Sequence, residues 1–172
     1  MKNIRPELVE LLKEGYCAPR IIELAKKLKE PSTTIHYNIK QMEKEHVVKG
    51  YKAVFDYKRI DEGLCNFVLI SLSPEEYINP ERIGKQLTKF KQIESVDIIS
   101  GGWEVLIKVR TKDIDEFYQF VKNVLSTKGI AKTTSLTSLK QLKTEFIVVG
   151  QGERKDALEM AESKKSDGNE RR

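Results

Sequence analysis

Ile21-Ile22-Glu23-Leu24-Ala25-Lys26-Lys27-Leu28-Lys29-Glu30-Pro31-Ser32-Thr33-Thr34-Ile35-His36-Tyr37-Asn38-Ile39-Lys40-Gln41-Met42 holds two apolar stripes of helical spacing parted by a proline. Ile21, Leu24, Ala25 and Leu28 recur at i, i+3, i+4 and i+7, which is one buried face of a helix. Pro31 disfavours helix at Glu30, so Lys29-Glu30-Pro31 ends the first stripe. Ser32 is expected to cap the next helix through its hydroxyl. That helix buries Ile35, Ile39 and Met42 and runs to about Glu45. Two short helices across so short a turn predict a helix-turn-helix, whose second helix enters the major groove of DNA. The outward side chains of that helix are Ser32, Thr33, Thr34, His36, Tyr37, Lys40 and Lys44. Small hydroxyls permit close approach to phosphate and to a thymine methyl, and lysines one turn apart can follow a phosphate strand.

Upstream, Ile4, Leu8, Leu11 and Leu12 predict another helix, stopped by Gly15. Downstream, Val47 to Phe55 reads as a strand, with Gly50 marking a bulge or close approach. The periods change from residue 64. Asn66 to Leu72 is a short apolar run, a strand buried on both faces. Pro80 to Phe90 is a helix with Ile83, Leu87 and Phe90 on one side. Ser95 to Ser100 and Trp103 to Arg110 are strands meeting at Gly101-Gly102. Asp113 to Thr127 is a helix burying Ile114, Phe117, Val121 and Val124. Ile130 to Leu139 is a hydroxyl-rich strand, and Phe146 to Val149 one more short strand. This β-α-β-β-α-β order is that of a ferredoxin-like unit, with both helices on one face of the sheet. The other face has no helix to cover it, so a second copy of the chain is expected there.

Charge is unevenly placed. Of 31 basic and 26 acidic residues, positions 1–60 hold 13 and 8, positions 61–150 hold 12 of each, and positions 151–172 hold 6 of each. The whole net charge of +5 therefore belongs to the first third. A basic segment on a neutral platform fits a polyanion-binding module. No run of about 18 apolar residues predicts a membrane span, and Met1 to Glu7 has no apolar core of a secretory signal. Two lone cysteines, Cys17 and Cys65, fit a reducing cytoplasm and no disulfide framework. His36 and His46 have no Cys or carboxylate at ligand spacing, so no metal is expected. No serine, threonine or cysteine is paired with a base, so no catalytic set and no cofactor is expected. Residues 151–172, rich in charge and poor in apolar groups, read as a disordered tail.

The stretch Pro31 to Tyr51 resembles the feast/famine regulators of the Lrp/AsnC family. Their recognition helix ends in a Leu-Glu-x-x-Gly-Val-Ile-x-Gly-Tyr pattern. Met42-Glu43 stands for the Leu-Glu here, and Val47-Val48-Lys49-Gly50-Tyr51 for the rest. The resemblance continues through the β-α-β-β-α-β region and covers roughly residues 3–150. His46 stands where the family has glycine, and His36, Asn38 and Lys40 stand near its usual arginines. Gly101-Gly102-Trp103-Glu104 takes the place of an effector loop that often reads Gly-Asp-Tyr-Asp. The resemblance implies dimers that assemble into rings, an octamer among them. It also implies an amino-acid effector near Gly101, Gly102, Trp103 and Glu104, with Thr133 and Ser135 of the last strand alongside.

The sequence thus reads as α+β. An N-terminal helix-turn-helix domain, winged-helix-like, spans 1–50, and a strand and linker span 51–63. A C-terminal ferredoxin-like βαββαβ domain for effector binding and dimerisation spans 64–150, and the tail spans 151–172. The expected function is a sequence-specific transcriptional regulator, not an enzyme. Its expected partners are double-stranded DNA, itself and an amino-acid effector. Two rivals come from other classes: a metabolite-sensing subunit of a metabolic enzyme, and a non-specific DNA-packing protein.

Overall fold

The computed structural model describes residues 4–144 and 147–148. The expectation of a disordered tail at 151–172 falls outside the described residues. The chain divides into two compact units, Met1–Phe55 and Asp56–Arg172.

The first unit is helical. Helix α1 spans Arg5–Lys13, α2 Ile21–Leu28 and α3 Ser32–Lys44. Gly15 follows α1 at φ 93°, a left-handed turn suited to glycine. Lys29 ends α2 in the same region, at φ 57°, and Glu30 N–H returns to the carbonyl of Ala25. Pro31 is extended, and α3 begins at the next residue. Ser32 is therefore the first helical residue rather than the cap, and no side chain caps this helix. Its C-terminus closes through His46, also at φ 57°, with the amides of Val47 and Val48 bonded to the carbonyl of Met42.

Packing within this unit is shallow. Ile35 is buried, Val9, Leu12, Leu24, Ala25 and Ile39 are half-buried, and Met42 is exposed. On α1 the expected stripe is displaced: Val9 and Leu12 pack inward, while Ile4, Leu8 and Leu11 are about half exposed. No strand forms over 47–55, which is irregular. A strand needs a partner, and among the described residues none offers this segment a ladder. The close approach expected at Gly50 is absent, since a Cβ there would meet nothing within 4 Å.

The second unit holds a four-stranded antiparallel sheet with helices. A 3₁₀ turn, Tyr57–Ile60, leads to β1 (Leu64–Leu72). Two helices follow, α4 (Pro74–Tyr77), which the sequence did not suggest, and α5 (Pro80–Leu87). Next come β2 (Ile93–Ile98), β3 (Val105–Thr111), α6 (Ile114–Phe120) and β4 (Ile130–Thr137). The strand order is β2-β3-β1-β4. Register explains the core. Val68 pairs with Ile107, and Ile70 with Val105, so these apolar chains share one face. They pack with Ile83 and Leu87 of α5, Phe117 and Phe120 of α6, and Leu125. Each fully buried chain contributes about 1.5–3 kcal/mol.

The expected helix 113–127 is not uniform. α6 passes into a π turn at Val121–Leu125. That wider turn brings Leu125 into the core, whereas Ile114, expected inside, is 61% exposed. Beyond β4, Lys143–Thr144 (β5) pairs with Ile147–Val148 (β6). Phe146 and Val149, expected in that last strand, lie outside the described residues.

Candidate nucleic-acid interface and effector loop

All seven residues expected to face DNA are exposed: Ser32, Thr33, Thr34, His36, Tyr37, Lys40 and Lys44. Thr33, Tyr37, Lys40 and Lys44 recur at i, i+4, i+7 and i+11, so they form one continuous stripe. At 1.5 Å per residue the stripe is about 16 Å long. Ile35 and Ile39 hold the opposite side of α3.

Lys40 is not an isolated cation. Its Nζ lies 2.7 Å from Glu43 Oε2. The Tyr51 hydroxyl donates to the other carboxylate oxygen, Glu43 Oε1, at 2.9 Å. The hydrogen bonds from Lys40 and then from Tyr51 hold the Glu43 carboxyl below the usual carboxylate range. The same bond to Glu43 raises Lys40. Glu43 and Tyr51 were not singled out as site residues. The i, i+3 spacing of Lys40 and Glu43 is legible in the chain, but the return of Tyr51 to the end of α3 is not. Beside this bond an open hollow of about 330 Å³ is lined by Glu43, His46, Val48, Lys49, Gly50 and Tyr51.

In the second unit, Gly101 to Glu104 joins β2 to β3. Gly101 has φ 123° and open space around it. Trp103 is half-buried, with Lys132 Nζ 5.4 Å from its ring centre. Glu104 is occupied: its Oε2 accepts the Leu72 amide at 2.8 Å, where the β1–β4 register shifts past Ala131 of β4. The residues expected around a ligand are not all brought together. Thr133 pairs with Ile70 and Ser135 with Val68, so both sit on the face that carries the helices. Lys132 pairs with Ser71 on the other face and reaches Trp103. Strict alternation along β4 contained this information, since Lys132 and Thr133 must point oppositely.

The helix-free face carries Phe67, Leu69, Leu106 and Leu136, paired by register. At its end sits an ionic cluster that the sequence reading did not find. Arg110, 5% exposed, donates to Glu94 Oε1 at 2.8 Å and to Gln141 Oε1 at 3.1 Å. Its guanidinium lies 3.6 Å from the Tyr57 ring centre. Lys108 Nζ is 2.7 Å from Glu94 Oε2. Burial pushes the Glu94 carboxyl up, but bonds from Lys108 and Tyr57 and the charge of Arg110 outweigh it and hold it low. Burial, and next the bond to Glu94, push the Tyr57 phenol well above its usual value. Among the described residues, no group of three His, Cys, Asp or Glu side chains is placed to hold a metal. None of the described helices is long and apolar enough to cross a membrane.

This architecture is shared with bacterial transcriptional regulators. A crystal structure of an AsnC family regulator from Agrobacterium tumefaciens superposes with a TM-score of 0.66 at 21% identity, covering 86% of this chain and 96% of that one. A Neisseria meningitidis regulator solved with L-methionine gives 0.66 at 20% identity, over 85% and 94%. At the level of sequence, residues 65–148 match the Lrp/AsnC ligand binding domain. An uncharacterized HTH-type transcriptional regulator of Pyrococcus furiosus is 31% identical over 140 residues, which are 81% of this chain and 93% of that protein. A Bacillus subtilis regulator is 26% identical over 150 residues, 86% and 90% of the two chains. The chain belongs to the Lrp/AsnC family of transcriptional regulators. It is a regulator, not an enzyme.

Proposed function

We propose that this regulator reads double-stranded DNA sequence-specifically with α3, as the second helix of a helix-turn-helix. The observation that carries this reading is the exposed stripe Thr33, Tyr37, Lys40 and Lys44 on the net-basic part of the chain. Ser32, Thr34 and His36 flank it. The strand order β2-β3-β1-β4 supports a ferredoxin-like second domain. Its bare face, with Phe67 37% and Leu136 52% exposed, supports a homodimer formed face to face. Ring assembly would build on that dimer.

An amino acid is the effector class the family suggests, and the L-methionine complex of the Neisseria meningitidis relative is consistent with it. On this chain the loop Gly101-Gly102-Trp103-Glu104 is the proposed seat, with Lys132 rather than Thr133 and Ser135 beside it. A ligand that prefers one assembly of protomers over another shifts operator affinity by linkage.

Selection of bound fragments from genomic DNA identifies a site, and fluorescence anisotropy compares it with mixed-sequence DNA. Specific reading requires about 10³-fold tighter binding to the site. Tyr37→Ala should change the preferred sequence rather than weaken all binding equally. Equal affinity for site and bulk DNA would instead indicate a packing protein. No DNA binding at all would remove the proposal.

A further inference from the structure

Glu43 is paired with Lys40, a member of the proposed DNA-facing stripe, at 2.7 Å. An acidic side chain bonded to a member of the DNA-facing stripe opposes binding, so its presence there asks for a reason. One reading is an ordinary surface ion pair, worth a few tenths of a kcal/mol. The geometry around Glu43 goes further than that. One of its oxygens is held by Tyr51, eight residues away and outside the helix. Its side chain is 29% exposed, against 62% for Lys40. The carboxylate is thus held from two sides, and the ammonium is the more exposed partner.

We propose that Glu43, pinned by Tyr51, is a built-in competitor for Lys40 that suppresses indiscriminate DNA binding. The inference rests on the proposed DNA-reading role of α3. In the free protein the Lys40 charge is taken up internally, so a phosphate gains little by approaching it. Lys40 swings to the backbone only where the rest of the stripe is already engaged by the correct bases. Non-specific DNA supplies phosphates but not that engagement, so it meets one fewer cation per protomer. Tyr51 matters because an untethered glutamate would rotate off with little cost and follow its own solvation.

The test is binding of the full-length protein to mixed-sequence DNA and to its selected site, across a salt series. Glu43→Gln keeps the size and the Tyr51 bond but frees Lys40. It should tighten mixed-sequence binding by about five- to tenfold and steepen the salt slope by about one unit per protomer. The gain on the selected site should be smaller, so discrimination falls. Tyr51→Phe should move in the same direction by a lesser amount. Glu45→Gln, one fewer negative charge at the same exposed helix end, is the control and should change both affinities only slightly.

The gain from Glu43→Gln should also vanish in a Lys40→Ala background. If Glu45→Gln matches Glu43→Gln, the effect is net charge alone and the competitor role is refuted. Persistence of the gain without Lys40 refutes it equally. Circular dichroism checks that each variant keeps its helices. If Lys40→Ala leaves the wild-type salt slope on the selected site unchanged, the failure lies in the DNA-reading assignment of α3 itself.

Discussion

His46→Gly should stabilise the end of α3. His46 is exposed and sits at φ 57°, in the left-handed region where an L side chain costs about 1–2 kcal/mol. Glycine removes that cost but adds freedom to the unfolded chain, which returns about 0.5–1 kcal/mol of it. The net gain is about 0.5–1 kcal/mol, a factor of roughly two to five in the local opening equilibrium. Native-state amide exchange of the intact protein reads this directly, because protection in α3 reports its opening free energy. The Ile39 amide should slow by that factor. His46→Ala separates backbone strain from loss of the imidazole, since alanine is strained in the same region, and it should give no gain. Equal protection in His46→Gly and the parent, or equal gains from glycine and alanine, would refute the strain argument. Lys29→Gly, also at φ 57°, should raise protection at the end of α2 similarly.

The remaining predictions concern the second unit. Arg110→Met should destabilise it by about 3 kcal/mol in urea unfolding, because Glu94 is left partly uncompensated in a buried cluster. Glu94 has a folded pKa below its unfolded value of about 4.3, so the unfolded chain binds more protons in the window between them. Its contribution is therefore present above that unfolded value and is lost as pH falls through the folded one; melting of Glu94→Gln should be flatter with pH across this window. Gly129→Ala should destabilise by more than 1 kcal/mol in the same assay, since φ is 101° and a Cβ would lie 2.9 Å from Glu76 Cγ and 3.0 Å from Ile83 Cδ1. Cys65 is 5% exposed and its thiol is pushed up by burial, so Ellman's reagent should titrate Cys17 first and reach Cys65 only on unfolding.

Much of the architecture was legible because the periods are strong. Ile83 and Leu87 face the sheet from one helix as their spacing required, but the strand read as buried on both faces is deeply buried on one only: Val68, Ile70 and Leu72 enter the core while Phe67 is 37% exposed. The outward stripe of α3 followed from the same arithmetic. What escaped the reading depends on partners distant in the chain. Val47 to Phe55 has the composition of a strand, yet a strand exists only with a ladder partner. Ile114, Phe90 and Met42 carry the right spacing but lie where a small unit runs out of neighbours to bury them. The pairing of Tyr51 with Glu43, and of Arg110 with Tyr57, Glu94 and Gln141, joins residues separated by 8 to 53 positions, which no local pattern encodes.

The π turn at Val121–Leu125 has a consequence for chain length. A turn that closes five residues apart accommodates one residue more than an α-helix needs over the same path. Lys122 and Asn123, both exposed, lie where that surplus can be given up. Homologous chains one residue shorter here can therefore keep Phe117, Phe120 and Leu125 on the sheet, with a straight helix in place of the swelling. An alignment of relatives should place a single-residue gap in this turn more readily than in the uninterrupted strand β3, where losing one residue would turn every later side chain to the opposite face.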